Sequence, residues 1–197
     1  GHSWDLDHTL HLFYVARAGQ REVGSGHVHE LWCRPGHRWT DEDLTARSGA
    51  PIARTMALAA YNWDVDQTQH VHYQNADFRE IELWFNHHER RWHWADLNAA
   101  SGLTPAQGGD WKRLGYTSAT DRSQHLFVDR QDENGITELS FRHGDGWKYS
   151  FPATEAGQRL SFSVPLIGYT WELDRSHHLV QADGGEIHHL YRRFTRR

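Results

Sequence analysis

The sequence predicts an all-β chain of four-stranded antiparallel blades, the architecture of a β-propeller, with about four repeats in 197 residues. Three observations lead there. Anchor residues recur in a fixed order, the segments between them alternate in the manner of strands, and aromatic rings supply much of the apolar content.

The first anchor is a histidine at the end of an aligned segment. It recurs as His11, His70, His125 and His178, with a period of about 55 residues. The second anchor follows as Glu30-Leu31-Trp32, Glu82-Leu83-Trp84, Glu138-Leu139-Ser140 and His189-Leu190-Tyr191. The third comes as Trp39…Leu44, Trp92…Leu97 and Trp147…Pro152. Blades are therefore expected over 1–51, 52–106, 107–158 and 159–197, in a single domain.

Each repeat divides into four strands. The first is rich in small and apolar residues, as in Ala57-Leu58-Ala59-Ala60-Tyr61 and Leu166-Ile167-Gly168-Tyr169. Ala60, Gly115 and Gly168 align, and a glycine inside a strand marks close backbone approach, as at a crowded central axis. The second strand, His70-Val71-His72-Tyr73-Gln74, alternates with period two, and so does the third, Ile81-Glu82-Leu83-Trp84-Phe85. Turn signals separate them at Asp132-Glu133-Asn134-Gly135 and Asp183-Gly184-Gly185. The fourth strand carries the tryptophan, Arg91-Trp92-His93-Trp94, and a polar connection such as Asn98-Ala99-Ala100-Ser101-Gly102 follows. No sustained helical periodicity is present. A β-sandwich is the competing architecture, disfavoured by the fixed four-strand period. The last copy stops after its third strand, so the ring is expected to be either a compact four-bladed one or part of a larger ring. Further sequence or self-association would complete the latter.

Composition sets limits on function. Hydrophobic residues make up 38% of the chain, yet it has 10 Trp, 7 Tyr and 8 Phe, and each buried ring hides about 150–250 Å². No apolar run reaches the roughly 20 residues of a membrane span, and the start has no signal-peptide pattern. The net charge is −5, with 26 acidic and 21 basic residues. Basic residues cluster only at Arg192, Arg193, Arg196 and Arg197, which argues against a broad nucleic-acid surface. Cys33 is the single cysteine, so no intrachain disulfide forms. The compartment stays open, with a secreted chain favoured.

The repeated polar residues suggest glycan recognition. A carboxylate accepts hydrogen bonds from sugar hydroxyls, histidine donates or accepts them, and an aromatic face suits the C–H side of a pyranose. The candidate carbohydrate-binding residues are His11, Glu30, Trp32, Trp39, His70, Glu82, Trp84, Trp92, His125, Glu138 and Trp147. The opposing reading makes these residues the packing between blades. His27-Val28-His29, His70-Val71-His72, His87-His88, His177-His178 and His188-His189 raise the question of a metal. Most fall at repeated positions, where a shared scaffold role is simpler, so no metal and no other cofactor is expected. Repeated carboxylates give several equivalent pockets rather than one active site. Neither a nucleophile elbow nor a phosphate loop nor a His-Glu-x-x-His motif occurs. No catalytic residue is assigned.

The anchors resemble the repeats of the fungal fucose-specific lectins of the Aleuria type and their bacterial relatives. The match lies in His70-Val71-His72-Tyr73-Gln74, Ile81-Glu82-Leu83-Trp84, Trp92 and Gly146-Trp147. The resemblance implies a propeller blade with a sugar site in which the third-strand Glu and an aromatic ring hold the ligand. The second-strand Arg of that family is His11, His70, His125 and His178 here. The expected function is multivalent glycan binding at repeated shallow sites between blades, by a protein that is not an enzyme. A structural or protein-interaction module of a larger assembly is the alternative.

Overall fold

Each repeat folds as one antiparallel meander, since strands of alternating pattern joined by short turns pair with their sequence neighbours. The computed structural model describes residues 1–4, 6, 8–17, 26–106, 112–130, 135–158, 166–183 and 185–193. The first sheet contains β1 (His2–Trp4), β2 (Thr9–Arg17), β3 (Gly26–Cys33) and β4 (Thr40–Asp43), followed by helix α1 (Leu44–Ser48). The second contains β5 (Ala59–Trp63), β6 (Thr68–Gln74), β7 (Glu80–Asn86) and β8 (Arg91–Asp96), then α2 (Leu97–Ser101). The third contains β9 (Arg113–Ser118), β10 (Ser123–Asp129), β11 (Ile136–Arg142) and β12 (Gly146–Ser150), then α3 (Pro152–Glu155). The fourth contains β13 (Leu166–Trp171), β14 (Ser176–Asp183) and β15 (Glu186–Arg193). Among the described residues three sheets have four strands, the last has three, and none closes on itself. No helix among them is long and apolar enough to cross a membrane.

The short helices correct one expectation. Asn98-Ala99-Ala100-Ser101-Gly102 is not an irregular connection: its first four residues lie in α2 and Gly102 caps it. Asp43 and Asp96 cap the first turns through Ala46 N–H (2.8 Å) and Ala99 N–H (3.0 Å). Gly49 and Gly102 end them at φ of 72° and 78°, the left-handed conformation that glycine adopts freely. The helices tie back to the sheets. Thr45 Oγ1 accepts from Val28 N–H at 2.8 Å, and Asn98 Oδ1 accepts from Glu80 N–H at 2.6 Å. Of the expected turns, residues 131–134 and Gly184 lie outside the described residues, as do Arg196 and Arg197.

The chain forms two compact units, Gly1–Pro105 and Ala106–Arg197, each with two sheets. In the first unit Phe13, Val15 and Val28 of one sheet pack on Val71, Tyr73, Ile81, Leu83 and Trp92 of the next, with Leu44 of α1 in the same core. In the second, Phe127 and Tyr116 pack on Leu179, Leu166 and Leu190. Strand alternation fixes which residues meet. In both units the face bearing the anchor histidine lies against the opposite face of the following sheet. Gly168 shows why a small residue is needed there: a Cβ on it would stand 2.7 Å from Tyr116 Cε1 and 2.8 Å from Leu114 Cδ2.

Candidate functional site

The register places each anchor histidine diagonally across from the third-strand glutamate. His11 pairs with Trp32 and Phe13 with Glu30, so His11 and Glu30 share a face two residues apart. The carboxylate only accepts, so His Nδ1 donates to it. The separations are 2.6 Å for His11–Glu30 and 2.7 Å for both His70–Glu82 and His125–Glu138. In the fourth sheet His189 replaces the glutamate, and its Nε2 meets His178 Nδ1 at 2.8 Å. The other ring nitrogen meets a hydroxyl two residues earlier on the same face. Thr68 Oγ1 and Ser123 Oγ lie 2.7 Å from their histidines, and Thr9 and Ser176 make the same contact. A first-strand ring covers each imidazole: His2 on His11, Tyr61 on His70, Tyr116 on His125 and Tyr169 on His178. This hydroxyl–histidine–acceptor relay occurs in all four sheets.

The relays are interior. No anchor histidine exceeds 6% exposure, and Glu30, Glu82 and Glu138 are 3–4% exposed. The best-partnered carboxylate is Glu138, which also accepts from Ser150 at 2.7 Å and twice from Arg192 at 3.1 Å. Burial pushes its carboxyl up, but the His125 hydrogen bond and the charges of His125 and Arg192 outweigh that and hold it at about 2. Burial lowers His125, against the pull of Glu138. Burial also lowers His2, to about 4, despite a bond to Gln69.

Between the two sheets of the first unit lies a cleft of about 480 Å³. His11 and Glu30 form its buried end, and Trp4, Trp32, Phe85 and Trp92 line it. Arg34, Arg47, Arg90, Glu42 and His87 supply its polar groups. Gln69 of the second sheet reaches in and donates to Glu30 at 3.0 Å. In the second unit an apolar cleft of about 250 Å³ runs between Tyr116, Phe127 and Pro152 on one side and Leu179, Leu190 and Tyr191 on the other. A polar cleft of about 280 Å³ lies beside Ser123 and His125.

Of the candidate residues, then, one cleft gathers His11, Glu30, Trp32 and Trp92, although Trp92 is buried and serves the core. Glu138 and His125 line separate clefts of the second unit. His70, Glu82, Trp84, Trp39 and Trp147 line none of these three clefts. Trp84 stacks on His93 at 5.2 Å, Trp147 packs on Phe141 at 5.5 Å, and Trp39 stands exposed just before β4. The sequence reading missed Arg34, Arg47, Arg90, Glu42 and Gln69. A signal existed for the first, because Arg34 and Arg142 both stand four residues after the anchor glutamate.

Two groups place three metal-type donors within 4.8 Å of one another: His70, His72 and Glu82, and Asp121, His125 and His177. The first is enclosed in its sheet, with His70 on Glu82 and His72 Nε2 on the Tyr61 hydroxyl at 2.8 Å. In the second, Arg142 already holds Asp121, and His177 Nε2 lies 3.3 Å from the same oxygen. His27 and His29 instead meet Asp43 and Asp41, at 2.6 and 3.2 Å.

Comparison with known proteins finds no matching family model and no matching curated protein. Solved structures do match. BP39L lectin from Burkholderia pseudomallei aligns at 12% identity and a TM-score of 0.59, over 93% of this chain and 48% of that one. AofleA from Arthrobotrys oligospora aligns at 13% identity and a TM-score of 0.50, over 93% and 56%. A fucose lectin from Kordia zhangzhouensis, solved with methyl-fucoside, aligns at 15% identity and a TM-score of 0.46, over 72% and 89%. The chain thus spans about half the length of the first two. At such identities the likeness is one of fold alone.

Proposed function

We propose that the chain is a non-catalytic carbohydrate-binding segment of a propeller, a single domain with blades over 1–51, 52–106, 107–158 and 159–197. Its sugar site is the cleft between the first two sheets. One observation carries the reading: half-buried Trp32 lines a cleft of about 480 Å³ together with Arg34, Arg47, Arg90 and Glu42. A pyranose lays its C–H face on the indole, while the guanidinium groups and the carboxylate meet its hydroxyls. The fold shared with BP39L lectin supports this reading. The second unit repeats the arrangement with altered side chains, and linked weak sites bind with avidity beyond any one of them. Self-association or further repeats complete the ring.

The relay of hydroxyl, histidine and carboxylate has the composition of a nucleophile and its base. Its burial and its recurrence with His189 in place of the carboxylate favour packing instead. That burial also favours the alternative of a structural module in a larger assembly, and one experiment separates the two. A glycan array probed with the wild-type chain, Trp32→Ala and Arg34→Ala is expected to show one sugar class bound. Each variant should bind it about tenfold or more weakly. A blank array from folded protein would overturn the sugar reading in favour of the structural module.

A further inference from the structure

The two units present the same cleft with different chemistry. The strand registers align Ser123 with Thr9, His125 with His11 and Arg142 with Arg34. At three matching positions the residue type changes: Trp32 becomes Ser140, Gln69 becomes His177 and Phe85 becomes Arg192. The stacking indole is gone and a guanidinium has entered. Arg142, Lys148 and Arg192 line this cleft of about 280 Å³, against the carboxylates of Asp121 and Asp145. Arg192 lies on Glu138, Arg142 on Asp121, and Lys148 Nζ is 3.5 Å from Asp145. Arg193 pairs with Ser176 and so stands on the other face of its sheet, the one that carries His178. Each paired arginine retains unused N–H donors.

We propose that this cleft is a second saccharide subsite, selective for a sugar that carries a carboxylate or sulfate group. The inference rests on the carbohydrate reading above. Arg142, Lys148 and Arg192 meet the anionic group by charge-assisted hydrogen bonds, while Ser140 and His177 meet hydroxyls. The same cations oppose a divalent metal at Asp121, His125 and His177. Binding weakens as salt is added.

Calorimetric titration of the full chain tests this with four probes: methyl glucuronide, its neutral parent methyl glucoside, methyl glucoside 6-sulfate and inorganic sulfate. At least one acidic sugar should bind about tenfold more tightly than the neutral parent. Comparing the two tells a carboxylate from a sulfate ester. Lys148→Gln, at an exposed position, should weaken that preference and leave unfolding by urea unchanged. Equal affinity for neutral and acidic sugars overturns the proposal. So does sulfate binding as well as its sugar ester, and so does Zn²⁺ binding that is lost in Asp121→Asn and blocks the sugars. Neutral binding that depends on Trp32, without acidic binding, overturns this subsite alone. No binding of any sugar, here or on the array, overturns the carbohydrate reading as well.

Discussion

Replacing Glu138 by Gln keeps the shape of the side chain and removes its charge. The native carboxylate is held at about 2, against 4.5 for the free group. At about 1.36 kcal/mol per unit, the difference is worth about 3 kcal/mol of folding stability at pH 7. The folded value is the lower one, so this stability is complete above pH 4.5 and is lost as pH falls towards 2. The gap between wild type and Glu138→Gln should therefore narrow to about 1 kcal/mol at pH 3 and nearly close at pH 2. Urea unfolding followed by far-ultraviolet circular dichroism at these pH values reads both quantities. Glu82→Gln is the control, because Glu82 keeps its His70 bond at 2.7 Å but has no arginine partner among the described residues. It should cost only about 1 kcal/mol. Losing less than about 0.5 kcal/mol in Glu138→Gln at pH 7, or a gap that is constant with pH, would refute the reasoning.

Further outcomes follow from other contacts. Trp92→Ala empties a core position beside Phe13 and Phe85 and should cost about 3–5 kcal/mol in the same unfolding assay. Thr68→Val removes the hydroxyl on His70 Nε2 and should cost about 1–2 kcal/mol, whereas Thr68→Ser should restore most of it. Gly168→Ala forces a methyl group against Tyr116 and Leu114 and should lower stability by about 1–3 kcal/mol, read as a shift in the urea midpoint. His2 has a folded value of about 4 beneath an ordinary 6.5 because burial disfavours its charged form, so protonation penalises the folded state progressively as pH falls from 6.5 to about 4. Wild type should therefore lose stability relative to His2→Gln across that window in the same urea assay.

Much of the architecture is legible in the chain because the repeats copy a strand register. The spacing of His70 from Glu82 already puts both on one sheet face once the hairpin is assumed. The three four-stranded meanders and the close approach at Gly168 follow from the same pattern. The helices are not legible by periodicity, since one turn is too short to show a 3.6-residue pattern. Their caps were the readable signal, as Asp43…Gly49 and Asp96…Gly102 share one spacing. At the candidate site, residue type identified a polar cluster but not its depth. His11 and Glu30 saturate each other inside the sheet, which neither composition nor spacing reveals. Arg47 and Arg90 reach the cleft from a helix and a turn, outside the strand pattern, and only the fold brings them to Trp32. Trp39 fits the repeat, yet falls just before β4 and stays exposed.

The way the sheets stack makes the array directional. In each unit a histidine-bearing face meets the reverse face of its successor, so the two sides of every sheet are different chemical surfaces. On the fourth sheet the histidine-bearing side leaves Tyr169, Trp171, Ile187 and Tyr191 exposed, while the reverse side of the first sheet leaves Leu10 and Leu12 exposed. Like faces brought together about a twofold axis would repeat neither packing. Unlike faces would repeat both, which is heterologous association: it ends when the rotation per sheet completes a circle and otherwise continues as a filament. The angle between neighbouring sheets then sets how many of them such an association takes to close, and the contact of Gly168 with Tyr116 is one of those that fix this angle.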